Sequence, residues 1–325
     1  MALELVEASK YSNDTLQVGV IEKLVWQDPI LERLQFKNIS GNGLTYNVEA
    51  QMSGAGFYAP GDVWVESTST VDQQTAVTTI LGGDADVDNF LRATRSDIND
   101  LMGEQLNAKI KAVRRLFMRM FWYGYTTIDT KGFQGMHYLV RSTIATTYPN
   151  VVAVASNNAT PVALSLAKLE EAVDMVKEGK PDLIVMTKQC RRNINKYLRT
   201  AGGITHADMG NRRVQTLFEI PVAVSDYISD SENVNLQYGT LYGHDYTEGI
   251  GLATDESATT IFVLQFAPEA CCGLQSGGGL TTEKFEKLET KDASRVRIKW
   301  YPSLMLQNIL TCSKVTGVKN DTATA

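Results

Sequence analysis

The sequence of residues 96–124 is SDINDLMGEQLNAKIKAVRRLFMRMFWYG. Its apolar residues recur at steps of three or four, at Ile98, Leu101, Met102, Leu106, Ile110, Val113, Phe117 and Met120. This spacing predicts one long amphipathic helix, with Ser96 placed to cap its start and Gly124 placed to end it. The acidic residues precede the basic ones, an order that complements the helix dipole. A helix of this extent is roughly 40 Å long and would act as a rigid element across the subunit.

The segment before this helix, residues 44–81, has the composition of β-strands. Leu44–Glu49, Val63–Glu66 and Thr68–Leu81 are rich in β-branched and aromatic residues, and the turn-forming stretch 53–61 lies between the first two. We therefore predict a long two-stranded ribbon with a glycine-rich tip.

This ribbon would expose the aromatic residues Phe57, Tyr58 and Trp64. An isolated two-stranded ribbon is only marginally stable in water, and exposed apolar groups favour a partner surface. We infer that the ribbon lies on another copy of the protein. The glycines at its base, Gly41 and Gly43, would act as hinges.

The rest of the chain predicts a second helix-and-strand region and a closing strand. Its expected elements are a helix over 166–179, a strand at 183–186, a helix from Thr187 to 202–203, and strands at 221–225 and 239–243. Near the end, residues 295–301 alternate, so that Val296, Ile298 and Trp300 would face a core. A short helix is also predicted over 12–27.

The charge and the apolar runs exclude two classes of protein. The formal net charge of −6 argues against a dedicated nucleic-acid binder, since these carry a basic excess. Runs such as 151–155 and 261–264 are too short to span a bilayer, and the first residues lack the pattern of a signal peptide. We expect no membrane association. The basic clusters at 109–119, 191–192 and 212–213 predict weak, sequence-independent phosphate contact at most.

Motifs for catalysis or for binding a cofactor are weak or absent in the sequence. Gly54–Ala59 matches a loose GxGxxA pattern, but a dinucleotide site needs a helix next, and the turn residues 60–62 follow. The histidines His137, His206 and His244 have no metal-ligand spacing. We therefore predict no enzyme activity, no cofactor and no metal.

The cysteines of the chain are Cys190, Cys271, Cys272 and Cys312, and none of them stands in a CxxC pair. We expect reduced thiols, as in a cytosolic folding environment.

The order of these pieces resembles the major capsid proteins of tailed phages, which have the Hong Kong 97 fold. The resemblance covers nearly the whole chain and rests on four stretches: Gly41–Asn47, Gly132–Met136, Ile220–Val222 and Val296–Tyr301. It implies an α+β fold with an N-terminal arm, an extended β-ribbon loop, a long spine helix, an α/β axial domain and peripheral β-strands. The implied boundaries are 1–41 for the arm, 42–82 for the ribbon loop, 83–136 for the peripheral domain with the spine helix, 137–256 for the axial domain, and 257–325 for the peripheral domain, return strands and C-terminus.

The resemblance also implies a function. A protein of this family self-assembles, through pentamers and hexamers, into the icosahedral head shell that encloses the phage double-stranded DNA genome. Its implied partners are itself, portal and scaffolding proteins, and packaged DNA through weak, non-specific contact. It would be found in the virion capsid after assembly in the host cytoplasm. Assembly contacts are expected at Phe57, Tyr58, Trp64, Gly41 and Gly43.

Two features depart from parts of the family. Some relatives form isopeptide cross-links through a ribbon lysine, but no lysine occurs between Lys37 and Lys109, so we expect a shell without such cross-links. Residues 1–41 are too few for the long scaffolding segment of other relatives, so a separate scaffolding protein, or none, is expected.

Two alternatives remain at this point. An encapsulin-type nanocompartment has the same fold but encloses a cargo enzyme, and no cargo-docking feature can be recognised in the chain. A soluble α/β enzyme built on residues 150–255 would need a convergent set of polar side chains, and the sequence offers none.

Overall fold

A computed structural model of the chain describes residues 29–51, 54–68, 70–90, 101–126, 129–140, 150–154, 161–177, 179–201, 203, 205–209, 212–230, 232, 258–285 and 291–324. The helix predicted over 12–27, the cap at Ser96 and the strand predicted at 239–243 lie outside the described residues.

The described helices are α1 (Pro29–Arg33), α2 (Leu101–Tyr123), α3 (Met136–Leu139), α4 (Leu166–Asp174) and α5 (Lys188–Ala201), with a 3₁₀ turn at Ile309–Thr311. The strands are β1 (Phe36–Ile39), β2 (Gly43–Gln51), β3 (Thr70–Val77), β4 (Leu81–Asp88), β5 (Val151–Ala153), β6 (Val162–Ser165), β7 (Leu183–Met186), β8 (Thr205–Met209), β9 (Arg212–Leu217), β10 (Ile220–Val224), β11 (Ala258–Leu264), β12 (Cys271–Ser276), β13 (Thr281–Phe285), β14 (Ala293–Trp300), β15 (Pro302–Leu306) and β16 (Ser313–Thr324).

These strands form four sheets. The largest has the order β5-β16-β11-β7-β10-β9-β8, with β6 also paired to β16. Two three-stranded sheets have the orders β1-β12-β15 and β13-β14-β4, and β2 pairs with β3 alone. The fold is therefore mixed α+β, with one two-stranded ribbon whose base packs on the β1-β12-β15 sheet through Tyr46.

The long helix forms where the sequence predicts it, and its described part ends at the expected place. Its inward residues Leu106, Ile110, Val113, Phe117 and Met120 are buried. Helix α2 ends at Tyr123, and the amide of Gly124 donates to the carbonyl of Met120 at 2.9 Å. The apolar stripe thus fixes the helix on the core, as amphipathic spacing requires.

Glycine is required in the Gly132–Met136 stretch for a steric reason, because this stretch lies against the end of helix α2. The amide of Gly135 donates to the carbonyl of Gly124 at 2.8 Å. A Cβ added to Gly135 would lie 2.5 Å from the Gly124 amide nitrogen, and one added to Gly124 would lie 2.1 Å from the Phe133 carbonyl oxygen. Only glycine allows the two backbones to approach this closely.

The large sheet forms the core of the second region. Strand β7 is buried throughout, as the apolar run 183–186 predicts, and it pairs in parallel with β10 and antiparallel with β11. Helix α5 begins after Thr187, whose hydroxyl accepts from the Cys190 amide at 3.2 Å and so caps the helix as expected.

The end of the chain contributes to this same sheet. Strands β11 and β16 lie after residue 256 and pair with each other. Strand β11 also pairs with β7, which lies before residue 256. The sheet therefore combines strands from both sides of the expected boundary at 256/257. The domain boundaries themselves stay a prediction.

Strand β14 confirms the alternation of the last predicted strand. Val296, Ile298 and Trp300 are buried, and Trp300 packs on Phe117 of α2 with ring centroids 4.6 Å apart. This sheet, β13-β14-β4, and the helix α2 thus share one core.

Candidate assembly surfaces

The predicted ribbon is formed by β2 and β3. The strands pair antiparallel from Gly43↔Val77 to Gln51↔Thr70, with one irregularity between Glu49 and Gln51. Strand β2 alone spans about 27 Å. A ribbon of this length can reach well beyond the body of its own subunit.

The tip of the ribbon, residues 54–68, has no regular strand, so the strand predicted at Val63–Glu66 is wrong. Local contacts hold the tip instead. The amide of Ala59 donates to Asp62 Oδ2 at 2.6 Å across the Pro60–Gly61 turn, where Gly61 has a φ of 99°. The left-handed backbone at this position of the turn favours glycine, and it interrupts the extended conformation that a strand requires.

An aromatic stack orders the two arms of the tip. The rings of Tyr58 and Trp64 lie 4.5 Å apart at an interplanar angle of 21°. The Tyr58 hydroxyl accepts from the Val65 amide at 3.2 Å, and the Ser67 hydroxyl donates to the Gly54 carbonyl at 2.8 Å. The tip is thus organised before it meets any partner, which lowers the entropy cost of binding.

The tip carries a concentrated exposed apolar surface. Phe57 is 110% exposed and Trp64 is 78% exposed, and the neighbouring Val63 and Val65 are also exposed. No hydrogen bond, ion pair or ring contact joins residues 54–68 to any other described part of the chain. The sequence analysis named Phe57, Tyr58 and Trp64 as exposed groups and did not name the two valines, which it assigned to a strand.

The two glycines expected at the base of the ribbon have different surroundings. Gly41 has a φ of 116° and open space at its Cβ position, which suits a hinge. Gly43 is the first residue of β2, and a Cβ there would lie 2.9 Å from the Ala76 carbonyl oxygen. Close approach of β3 is therefore the physical reason for glycine at 43, and its role as a hinge or contact stays a prediction.

A cleft of about 860 Å³ lies where the ribbon joins the body. The amide of Thr79 donates to the Pro302 carbonyl at 3.0 Å on one side of this junction. Tyr46, in the wall of the cleft, is buried, and burial raises the pKa of its phenol to about 12. The base of the ribbon is thus fixed to the body while the tip extends from it.

The histidines and the glycine-rich stretch Gly54–Ala59 are the residues that could suggest a metal or dinucleotide site. No cluster of three or more His, Cys, Asp or Glu that could hold a metal is present in the described part of the chain. Gly54–Ala59 leads into a turn and not a helix, which removes the geometry of a dinucleotide site. His137 is buried, with Nε2 3.4 Å from Glu232 Oε1, and the side chains of His206 and His244 lie outside the described residues.

The cysteines agree with the expectation of reduced thiols. All four are free and buried. Burial raises the pKa of the Cys190 thiol to about 12, which leaves it protonated at neutral pH.

No helix of the described residues is long and apolar enough to cross a bilayer.

Solved structures of other proteins are similar to this fold. No protein-family model matches the sequence, and no curated protein matches it. Over 100% of this chain and 99% of the other, the structure is similar to the holo-SrpI encapsulin complex from Synechococcus elongatus PCC 7942, with a TM-score of 0.63 and 15% identity. It is similar to the capsid of a native GTA particle over 89% of both chains, with a TM-score of 0.59 and 12% identity.

A third similar structure is that of Microbacterium phage Oxtober96, with a TM-score of 0.55 and 12% identity over 91% of both chains. The chain therefore has the Hong Kong 97 capsid fold, and the α+β class and the resemblance drawn from the sequence are confirmed at the level of the fold.

Proposed function

We propose that this chain is the major capsid protein of a tailed phage and that it self-assembles into the icosahedral head shell around the double-stranded DNA genome. The observation that carries the proposal is the organised ribbon tip, where Phe57 and Trp64 are exposed and the ring contact of Trp64 is with Tyr58 of the same tip. Monomeric proteins rarely expose apolar side chains in such a cluster, whereas assembling ones do. The solved structures with this fold include a capsid and an encapsulin.

The proposal includes the way in which the shell forms. The tip, Phe57, Tyr58 and Trp64, contacts a neighbouring subunit, and Gly41 and Gly43 at its base are further contact positions. Pentamers and hexamers of the same chain form the closed shell, as symmetric homo-oligomers do. The contacts are non-covalent, because the ribbon has no lysine. The protein acts as a structural component and not as an enzyme.

The proposed partners and location follow from the capsid assignment. Portal and scaffolding proteins take part in assembly in the host cytoplasm, and the mature location is the virion capsid. Packaged DNA makes weak, non-specific contact with basic side chains on the inner surface, through phosphates alone.

A second candidate function is the shell of an encapsulin-type nanocompartment. The observation in its favour is the similarity to the holo-SrpI encapsulin complex over the full length of both chains. The two functions differ in the content of the particle and not in the fold.

The test is negative-stain electron microscopy of the purified protein together with its size-exclusion profile. Closed icosahedral particles, or rings of five and six subunits, are expected. A stable monomer or dimer at high concentration, without particles at any salt concentration, would contradict both shell functions. Particles isolated from the natural source should hold nuclease-resistant double-stranded DNA; one stoichiometric cargo protein in its place would favour the nanocompartment.

A further inference from the structure

Two of the cysteines lie against each other in the core. Cys271 is the first residue of β12, and Cys312 lies between the 3₁₀ turn and β16. Both side chains are fully buried in one apolar cluster, which also contains Met136. The Cys271 thiol forms a hydrogen bond with the sulfur of Cys312, and its Sγ lies 3.6 Å from Met136 Sδ. The sulfur atoms of the two cysteines are therefore already in contact in the folded subunit.

The position of Cys271 on its strand selects this pair. Successive residues of a strand face opposite sides of the sheet. Cys271 faces the cluster that contains Cys312, whereas Cys272 faces a separate cluster with Tyr46. Cys190 lies in a further cluster, on the other side of the large sheet. Cys271 and Cys312 are thus the cysteines that share one cluster.

The two thiols of this pair are chemically unequal. The hydrogen bond from the Cys271 thiol lowers the pKa of the Cys312 thiol, although burial acts in the opposite direction. The same contact raises the pKa of the Cys271 thiol, which therefore keeps its hydrogen. The thiolate is the nucleophile in thiol chemistry. Cys312 is therefore the sulfur that reacts first with an oxidant, and Cys271 is placed to react second.

We propose that Cys271 and Cys312 form a disulfide bond within each subunit after the particle leaves the reducing cytosol of the host. This inference rests on the proposed function, because a released virion exposes the chain to an oxidising environment. Disulfides form and persist at virion surfaces and outside cells, whereas cytosolic thiols are kept reduced. The subunit thus folds and assembles with free thiols, and the bond forms afterwards.

The oxidant is a peroxide, of which hydrogen peroxide is the simplest. The Cys312 thiolate attacks one oxygen of hydrogen peroxide, the O–O bond breaks, and hydroxide leaves, which gives a sulfenic acid on Cys312. The Cys271 sulfur then attacks this sulfur, the S–S bond forms, and a second hydroxide leaves. Both hydroxides become water with the protons of the two thiols, so that two thiols and one peroxide give one disulfide and two water molecules. Hydrogen peroxide is small and uncharged, so burial of the pair excludes it less than it excludes larger thiols and disulfides.

The bond would join two sheets of the subunit. Strand β12 belongs to β1-β12-β15, and β16, which begins directly after Cys312, belongs to the large sheet. The residues between the two cysteines, 272–311, include β13, β14 and β15. A cross-link that closes a loop of this length removes much of the freedom of the unfolded chain. The oxidised particle should therefore resist unfolding better than the newly assembled one, without a covalent bond between subunits.

The test compares purified particles before and after treatment with dilute hydrogen peroxide. Alkylation of the denatured chain should count all four thiols before oxidation, half of them after it, and all of them again after reduction with dithiothreitol. Peptide mapping without reduction should find Cys271 joined to Cys312. The melting temperature should rise by about 5 °C on oxidation and fall again on reduction.

Cys312→Ala and Cys190→Ala are the matched variants, since both replace a buried cysteine. Each variant is compared with itself, oxidised against reduced, so that a loss of stability caused by the substitution alone does not affect the result. Cys312→Ala should show no rise of the melting temperature on oxidation. Cys190→Ala should keep the whole rise.

Three results would overturn the inference while intact particles still support the proposed function. They are four alkylated thiols after peroxide, a disulfide that involves Cys190 or Cys272, and a sulfinic acid on Cys312 or a sulfoxide on Met136 in place of the bond. A wild type that forms no particles would instead contradict the proposed function. The same thiol count, made on the unassembled subunit, would then still decide whether the disulfide forms.

Discussion

Arg297 of β14 binds Asp84 of β4 through two hydrogen bonds, Nε to Oδ1 at 2.6 Å and Nη2 to Oδ2 at 2.7 Å, directly across the pairing of the two strands. Arg295 binds Asp86 in the same way, at 2.6 and 2.8 Å. Lys299 reaches Glu283 of β13 at 2.6 Å. The three cations of this face therefore have acidic partners within the subunit.

The two aspartates of this ladder predict a dependence of stability on pH. The hydrogen bond from Arg297 lowers the pKa of Asp84 below its ordinary 3.8, and the hydrogen bond from Arg295 does the same for Asp86. A lowered carboxyl pKa contributes stability above the pKa of the unfolded chain, and this contribution is lost as the pH falls through the folded value. We therefore expect Asp84→Asn to lower the free energy of unfolding near neutral pH.

The effect of Asp84→Asn should be small, because the pair is partly exposed, and it should shrink as the pH falls through the lowered pKa of Asp84. Urea unfolding of wild type and variant at neutral and acidic pH measures the difference. Asp174→Asn is the control, since Asp174 is exposed and forms no ion pair with a described residue. A difference for Asp84→Asn that stays constant across the range would show that the ion pair does not cause it.

A buried hydrogen-bond network at the end of α2 predicts a larger effect on stability. The Tyr123 hydroxyl donates to Glu232 Oε1 at 2.5 Å and accepts from the Ser229 amide at 2.8 Å, and the Thr260 hydroxyl donates to the other oxygen of Glu232. Tyr123→Phe removes the hydroxyl and leaves a buried carboxylate oxygen and a partly buried amide without this partner. Each such group costs about 1–3 kcal/mol, so a loss of this order is expected in chemical unfolding.

The matched control for Tyr123→Phe is Tyr197→Phe. Tyr197 is half-buried on α5, and its hydroxyl has no partner among the described residues. The same change there should leave the free energy of unfolding nearly unchanged. Equal effects of the two substitutions would mean that the network does not stabilise the fold.

The sequence predicted correctly the segments in which apolar residues recur at a regular period, and it was less accurate where only composition was available. The stripe of α2 and the alternation of 295–301 depend on one buried face each, and both were predicted correctly. The tip was assigned partly to a strand because Val63-Trp64-Val65 has strand composition, but no neighbouring strand pairs with it. Composition alone does not provide the hydrogen-bond partner that a strand requires.

Long-range pairings were beyond the reach of sequence patterns. Nothing local indicates that β16 joins β11, or that Asp84 meets Arg297, since these partners are far apart in the chain. The depression of about 680 Å³ beside Leu116 was missed for the same reason: its lining combines residues of α2 with residues 226–229, which are far from α2 in the chain.

The hairpin between β9 and β10 predicts a stabilising substitution. Its two turn residues, Phe218 and Glu219, have φ values of 51° and 65°, a left-handed conformation that favours asparagine and glycine. Phe218→Asn/Glu219→Gly should raise the stability by about 1 kcal/mol, measured as a higher melting temperature. Phe218→Ala keeps the unfavourable conformation and should give no gain. A double variant less stable than wild type would mean that the Phe218 side chain contributes more than the strain costs.

The absence of lysine from the ribbon predicts how particles dissociate. An isopeptide bond needs an amine, and no lysine occurs from residue 38 to residue 108. Particles boiled in denaturant should therefore run as the single chain on a denaturing gel. Cys271 is fully buried, and its hydrogen bond with Cys312 raises the pKa of its thiol, so disulfide ladders are not expected either. A ladder of multiples that survives reduction would contradict this prediction.

Trp64 separates the role of the tip in assembly from any role in the fold. Its side chain is 78% exposed and stacks only on Tyr58, so Trp64→Ala removes no core contact. We expect the melting temperature of the subunit to stay the same while the yield of particles falls. Trp300→Ala gives the opposite pattern, because Trp300 is buried against Phe117 and such truncations cost about 3–5 kcal/mol. Size-exclusion chromatography and thermal unfolding of both variants measure the two effects, and a large loss of melting temperature in Trp64→Ala would assign this residue to the fold and not to assembly.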